Sequence, residues 1–388
     1  MAPARKLVMQ PGPIEFSDSV LQAMATPSQS HMSPEFAQVF QETLIKTRSL
    51  FKSSNDSKSQ PIVLAGSGTL GWDLVGSNLI DSPEEKILVL STGFFSDSFA
   101  QCLQLYSDNV DILSAELGNV IDYSKLESHL KLKNYSIVTV THVDTSTGVL
   151  SDIAKIASVV KKISPSTLIV VDAVCSAAVE DIEFDKWELD FVLSASQKAI
   201  GVPSGLSISI ASKKVVDKVL ARKSRAKNFF ANLQRWIPVL VAYESGKPAY
   251  FATPPVQLVH ALNVSLNSIL SVPLDERFKE NLKVSQDFKA KLGKLGLKVV
   301  PASGAETSAL TAAYFPENIN PAEFLSKVSS KGVELASGIH QGIHPKYFRV
   351  GHMGVSALDH TNGRDDVQKT YEAIKESLIE LGYTVPTK

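Results

Sequence analysis

Seven short apolar runs, "PIVLA", "ILVLS", "VDILS", "IVTVTH", "LIVVD", "DFVLSA" and "LSISIA", recur between residues 60 and 212. Continuous, β-branched stretches of this length suit strands buried on both faces, so they belong inside a layered sheet. The segments between them fit that picture. "SDIAKIASVVKKI", between the fourth and fifth runs, spaces its apolar residues along one helical face. Strand, helix, strand at that spacing is a βαβ unit, and its repetition predicts an α/β fold: a large, doubly wound, mainly parallel sheet covered by helices.

A helix is expected over 35–52, with Ser33 as N-cap and Pro34 in its first turn. Beyond about residue 255 the pattern changes to long amphipathic stretches such as "VQLVHALNVSLNSIL" and "DDVQKTYEAIKESLIEL", which reads as a smaller α+β domain. The expected organisation is an N-terminal arm (1–15), a large cofactor-binding α/β domain (16–255) and a small C-terminal α+β domain (256–388). With 388 residues, 44% of them hydrophobic, the chain can fill both cores.

Lys+Arg 39 against Asp+Glu 40 leaves a net charge of -1, which offers no electrostatic basis for nucleic acid or an acidic membrane as partner. Cys102 and Cys175 are too few for a disulfide framework and too far apart for a C-x-x-C motif. There is no apolar secretory block and no window approaching 18 uninterrupted apolar residues. A soluble, cytoplasmic protein is expected. "TVPTK" is not the S-K-L peroxisomal address, and Pro11-Gly12-Pro13 follows the start too closely for a long cleavable leader. Mitochondrial or peroxisomal residence by unconventional signals stays open.

The stretch "IVLAGSGTLGWDLVGSNLI" carries a strand into a turn, Gly66 to Gly71, that matches G-x-G-x-x-G. A dinucleotide needs an acidic residue at the end of the next strand. That strand ends "VLSTGFF", without a carboxylate, and Glu84 and Glu85 precede it. Small polar residues opening a helix still form an anion site, because free N–H groups and the helix dipole both favour a phosphate. Three readings stand: a cradle for one phosphate, the turn of an NAD-dependent oxidoreductase, or a structural turn.

Two strand ends bear on that choice. "LIVVDAVCS" places Asp172 after four apolar residues, where a carboxylate is desolvated unless a cation meets it. "DFVLSASQKAIGVPSG" places Lys198 just past another strand, and ligands of open α/β sheets bind at strand carboxyl ends. Alone, Asp172 reads equally as a helix cap and Lys198 as a surface residue. Together they suit pyridoxal 5'-phosphate, which needs an amine for its Schiff base, an anion for its pyridinium nitrogen and an anchor for its phosphate. Phe94 and Phe95, in "STGFFSD", offer a ring to stack on it. Arg349, in "YFRVG", has apolar neighbours on both sides; a substrate carboxylate or a structural salt bridge would satisfy its guanidinium equally.

The ordered motifs "PGP", "AGSGTLGWD", "THVDTSTGVLSD", "VVDAVCS", "SASQKAIGVPSGLS", "YFATPPVQL" and "YFRVGHMG" resemble the alanine:glyoxylate/serine:pyruvate aminotransferases, class V members of the fold-type I pyridoxal-phosphate enzymes. The likeness runs almost end to end and is strongest to the fungal alanine:glyoxylate enzymes. It implies that Lys198 is the Schiff-base lysine, Asp172 the pyridinium partner, and Ser67, Gly68 and Thr69 phosphate ligands with Gln197 beside them. It places Phe95 in the stacking position, where some relatives carry Trp, Thr145 at the phenolic oxygen and Val174 on the ring's other face. Tyr250 and Thr253 match residues that reach the neighbouring subunit's phosphate, which implies a homodimer with active sites at its interface. Arg349 matches the residue that binds the substrate carboxylate, and Gly12 matches backbone lining the partner's substrate pocket.

The activity so implied is ping-pong transamination of alanine or serine with glyoxylate, giving glycine. With one candidate carboxylate-binding Arg, small monocarboxylic donors are expected over aspartate or glutamate. The rivals are a lyase or desulfurase of the same fold, an NAD-dependent oxidoreductase on the 66–71 turn, and a non-enzymatic binding module. A desulfurase needs a catalytic Cys on a mobile loop, and neither Cys102 nor Cys175 is placed for that. His31, His142 and His352 lack metal-like spacing and read as structural or as supports one layer behind the site.

Overall fold

The computed structural model describes residues 5–386. All seven apolar runs form strands of one sheet: β1 (Gln60–Ala65), β2 (Lys86–Ser91), β3 (Asn109–Ser114), β4 (Ile137–Thr141), β5 (Leu168–Asp172), β6 (Phe191–Ala195) and β7 (Leu206–Ala211). Their spatial order is β3-β2-β4-β5-β6-β7-β1, parallel except for β7, which runs antiparallel to both neighbours. The exception has a local cause. Residues 196–205 join β6 to β7 without a helix, and a link that short cannot make the crossover a parallel pair requires. That same link carries Lys198.

The connecting helices follow their sequence signals. α1 (Pro34–Leu50) starts where Ser33 Oγ accepts the Phe36 N–H, and ends two residues before the expected position because Lys52 takes a positive φ. α2 (Gly68–Leu79) follows β1, and α3 (Phe94–Leu103) follows β2. α4 (Ile153–Ile163) is capped by Asp152 and buries Ile153, Ile156, Val159 and Val160 against the sheet. A side chain at Gly71 would lie 2.9 Å from Leu193 Cβ, so glycine there lets α2 press directly on β6.

α5 (Val256–Ile269) packs on α1, and its Val259, Leu262 and Leu266 belong to the same core as the large sheet. The expected boundary at 255/256 therefore falls one helix early; amphipathic spacing reports a buried face but not which core buries it. The second core starts with α6 (Leu274–Lys294), continues through a three-stranded antiparallel sheet of β8 (Leu310–Tyr314), β9 (Ala336–Ser337) and β10 (Tyr347–Gly351), ordered β8-β10-β9, and closes with α7 (Asp366–Glu380). Phe288, Leu292, Phe348, Ile374 and Leu378 fill it. The expected arm is anchored here: Leu7–Val8 pairs in parallel with Val333–Glu334, and Met9 is wholly buried in the small core. No helix among the described residues is long and apolar enough to cross a membrane.

Candidate active site

Beyond the carboxyl ends of β4, β5 and β6 lies a cavity of about 150 Å³. Parallel strands deliver their ends to one edge, which is why residues far apart in sequence meet there. Ser67, Gly68, Thr69, Phe95, Thr145, Asp172, Val174, Gln197 and Lys198 all line it. A larger cleft of about 600 Å³, between Val20, Ile200 and Arg277, lies behind the Lys198 loop. The smaller cavity gathers Lys198 and the buried Asp172, which makes it the candidate site.

At one end α2 begins. Ser67 is its N-cap but makes no capping bond; its hydroxyl instead lies 2.7 Å from Thr69 Oγ1. The first N–H groups of α2 and two hydroxyls thus surround a place for an anion at the positive end of the helix dipole. Gly68 is required for contact, since a Cβ there would stand 2.7 Å from Val174 Cγ2. The dinucleotide reading fails on topology. β1 is an edge strand beside antiparallel β7, whereas β2, the strand that would need the acidic residue, lies on the far side of the sheet and ends in Ser91.

Asp172 is 3% exposed. Trp72 Nε1 donates to its Oδ2 at 2.7 Å and the Val174 N–H to its Oδ1 at 2.9 Å. Burial nevertheless pushes its carboxyl up to about 6, with Asp144 adding to the rise while the two hydrogen bonds and Lys198 oppose it. Such a group has acceptor capacity for a cation brought against it. Lys198 donates its Nζ to the Pro11 carbonyl. Burial lowers its pKa and nearby Arg349 adds to this, against Cys175 and Asp172, which favours the neutral, nucleophilic amine.

Gly12, assigned by resemblance to a partner's pocket, lies against Lys198 of its own chain: a Cβ on it would overlap the lysine side chain. The arm is held by Met9 accepting the Gly351 N–H and by Ile14 donating to the Gln197 carbonyl. Of the two phenylalanines, Phe95 faces the cavity, while Phe94 meets its ring edge-on at 5.3 Å. Tyr250 and Thr253 are exposed and outside this cavity.

Arg349, on β10, is 8% exposed. Its Nε donates to the Ser337 carbonyl at 2.9 Å and its Nη1 to the Thr145 carbonyl at 3.2 Å. Among the described residues no carboxylate lies within 4.0 Å of it. Burial lowers its pKa, as for any cation without a counterion.

With this geometry in place, the comparison with known families is decisive: the family described as aminotransferase class-V matches residues 10–369. The chain belongs to the aminotransferase class-V family. Members are pyridoxal-phosphate enzymes acting on amino and keto acids. Alanine–glyoxylate aminotransferase 1 of Saccharomyces cerevisiae is 47% identical over 90% of this chain and 92% of that one. An uncharacterized aminotransferase of Methanocaldococcus jannaschii is 30% identical over 98% and 94%. Among solved structures, alanine–glyoxylate aminotransferase of Nostoc sp. superposes with a TM-score of 0.88 at 23% identity, covering 97% of this chain and 96% of that one. That likeness carries the fold.

The cavity of this class-V aminotransferase is also lined by residues that the sequence did not mark, Trp72, Thr141 and Val143, and by Cys175, weighed above only as a desulfurase thiol. Trp72 was within reach, because an indole N–H one turn into a buried helix needs an acceptor. Buried polar atoms at this site also lack partners, Gln197 Oε1 and Thr141 Oγ1 among them. Burial pushes His142 and His352 down to about 3, and His352 bonds Thr311 at 2.8 Å.

Proposed function

We propose that this aminotransferase transfers the amino group of alanine, with serine as a second donor, to glyoxylate, and that pyridoxal 5'-phosphate is held by Lys198, Asp172 and the Ser67–Thr69 turn. The relative of Saccharomyces cerevisiae named for alanine and glyoxylate supports the substrate pair. The observation that carries the substrate class is Arg349, a buried guanidinium anchored by two backbone carbonyls and facing no carboxylate. An α-carboxylate supplies the missing charge in planar, bidentate form. The cavity itself contributes one other cation, Lys198, so a side-chain carboxylate would enter without a partner.

The residues fit the cofactor. The unsatisfied start of α2 and the Ser67 and Thr69 hydroxyls suit a phosphate, the orphaned Gln197 and Thr141 oxygens suit polar edges, and Phe95 and Val174 suit the two faces of a ring. When bound, the cofactor supplies an aldehyde that takes up the amino group and a ring that withdraws electrons from Cα. Asp172, ionised against a ring cation, holds the proton on the ring nitrogen; Thr145 orients the ring oxygen. The Lys198 amine would hold the cofactor's aldehyde carbon and, when free, would move the proton at the substrate Cα. Arg349 fixes the carboxylate so that Cα stands over the amine.

A dimer is part of the reading. Tyr250 and Thr253 would meet the partner's phosphate, and Tyr250 at 61% and Phe229 at 68% exposure present an aromatic surface beside Arg235 and Phe251. A desulfurase is disfavoured, because burial pushes both thiols, Cys102 and Cys175, up to about 12, far from the thiolate that chemistry needs. Steady-state rates for alanine and serine with glyoxylate and pyruvate test the substrate pair; turnover of neither donor would overturn it.

A further inference from the structure

The side chain of Asp144 is 0% exposed, and its carboxylate has no role in binding cofactor or substrate directly. It is fully used nonetheless. Oδ2 accepts from the Phe95 N–H, the Ser96 N–H and Ser96 Oγ, each at 3.1 Å. Oδ1 accepts from the Ser146 N–H at 3.0 Å and from Ser146 Oγ at 2.6 Å. Ser146 Oγ in turn accepts from the Phe94 N–H at 2.9 Å.

The first three N–H groups of α3 are therefore satisfied by a turn some fifty residues away. The reason is at its N-cap, Gly93, which has no side chain to do it. Gly93 cannot be otherwise: a Cβ there would stand 2.4 Å from Ser146 Oγ and 2.8 Å from Asp144 Oδ1. The helix start and the turn approach each other at backbone distance, and charge-assisted hydrogen bonds close the gap.

The far side of that turn faces the substrate residues. Thr145, between Asp144 and Ser146, lines the cofactor cavity, and its carbonyl receives Arg349 Nη1. The Ser146 carbonyl receives the Tyr347 hydroxyl at 2.6 Å. Tyr347, wholly buried, accepts from the Ile339 and His340 N–H groups at 3.0 and 2.9 Å, next to the Ser337 carbonyl that holds Arg349 Nε.

We propose that Asp144 is a positioning residue, whose carboxylate locks the phenyl of Phe95, the hydroxyl of Thr145 and the anchor of Arg349 into one frame. This rests on the assignment of Phe95 and Thr145 to the cofactor given above. Five donors converge on Asp144, so an acceptor-only group is needed. Asparagine would turn an N–H₂ donor toward either the α3 N–H groups or Ser146, and is no conservative replacement here. Tyr347 reaches the frame through the Ser146 carbonyl and the 339–340 backbone, with no bond to Asp144 or to α3, so Tyr347→Phe tests the substrate half while leaving the Asp144 bonds to α3 in place.

The test compares wild type, Asp144→Asn, Ser146→Ala and Tyr347→Phe as apoproteins titrated with pyridoxal phosphate, then as holoenzymes. Asp144→Asn is expected to weaken cofactor binding roughly ten- to hundredfold and to reduce the visible circular dichroism of the bound cofactor, as stacking loosens. Ser146→Ala should move both in the same direction by less. Tyr347→Phe should raise the KM for alanine while leaving cofactor affinity and dichroism at wild-type values. Adding Phe95→Leu to Asp144→Asn should cost much less than Phe95→Leu alone, because the stacking it removes is already impaired.

Wild-type affinity and dichroism in Asp144→Asn, with only a lowered melting temperature, would overturn the proposal by showing a structural role. If Asp144→Asn does not fold, the Ser146→Ala values and its cycle with Phe95→Leu decide in the same way. A wild-type apoprotein that does not bind pyridoxal phosphate would overturn the cofactor assignment, and this inference with it; binding by wild type and by Asp144→Asn alike sinks the inference alone.

Discussion

Asp172 on the large sheet, which lines the cavity, and Arg349 on the small one, which bonds the carbonyl of the cavity residue Thr145, are both buried ionisable groups, yet they are built on opposite plans. Asp172 has two donors of its own chain, Trp72 Nε1 and the Val174 N–H, and its ordinary charge is still suppressed by burial. Arg349 has two acceptors, both neutral carbonyls from opposite walls of the cleft, and its ordinary charge has no carboxylate to meet. On the function proposed above, the first would meet a cation that stays and the second an anion that comes and goes. Substitutions should therefore separate them by what they disturb: cofactor at Asp172, substrate at Arg349.

The largest effect lies between them. Lys198→Ala should lower turnover on the order of 10⁴-fold or more, since the nucleophile and proton carrier are the same amine. Borohydride treatment of the wild type followed by mass spectrometry should find the pyridoxyl group on Lys198; finding it on another lysine would remove the centre of the comparison.

Asp172→Asn should cost roughly 10²- to 10³-fold in rate, the scale of losing one preorganised electrostatic group. Its effect on the apoprotein has the opposite sign. A carboxyl raised from 3.8 to about 6 on folding disfavours the folded state as pH rises through that interval, and the penalty persists at higher pH. Well below 3.8, at about pH 3 and under, both states are protonated and it vanishes. Thermal melts of apo Asp172→Asn should therefore run above wild type at pH 7 to 8, by at most about 3 kcal/mol in stability, and converge with it at about pH 3. Bound pyridoxal phosphate should reverse the order at neutral pH.

Arg349→Ala should lose about 2 to 4 kcal/mol of substrate binding, read as kcat/KM for alanine, with cofactor absorbance and affinity intact. An amine lacking a carboxylate should lose little. If the melting temperature falls and alanine affinity does not, the guanidinium is a bridge between domains and the contrast with Asp172 disappears.

Trp72→Phe is the mildest change. It deprives Asp172 Oδ2 of its indole donor, a loss of about 1 to 3 kcal/mol in a buried setting, and should weaken cofactor binding about tenfold or more with the alanine KM nearly unchanged. A change in alanine KM alone would place Trp72 on the substrate side.

The parts of this picture legible in the sequence are those with short-range causes. Apolar runs marked the seven strands, six of them largely buried, where burial on both faces leaves no alternation to misread. The remaining one, β3, lies at the sheet edge with Leu113 alone buried and Ile112 exposed, so burial on both faces was not legible there. Ser33-Pro34 marked a helix start through its own cap. Asp172 and Lys198 were legible because strand ends in such sheets share an edge. Tertiary partnership was not. Nothing in "VQLVHALNVSLNSIL" tells which core receives its apolar face, and α5 joined the large one. Leu7–Val8 found a strand more than three hundred residues away, and Gly12 came to rest on its own chain's lysine. Asp144 shows the same limit: its neighbours in "THVDTSTG" read as a motif, while the bare helix end at Gly93 that it caps is visible only in three dimensions.

The contrast between Asp172 and Arg349 bears on function through a single claim, that the site offers one unpaired cation for one substrate carboxylate. The most direct measurement follows the visible absorbance of the wild-type enzyme reconstituted with pyridoxal phosphate as alanine or aspartate is added, and then glyoxylate. Alanine should convert the cofactor band, glyoxylate should restore it with formation of glycine, and aspartate at the same concentration should convert it more slowly by an order of magnitude or more, since its second carboxylate enters unpaired. Equal or faster conversion by aspartate, or no response to alanine in a protein that has bound the cofactor, would contradict it.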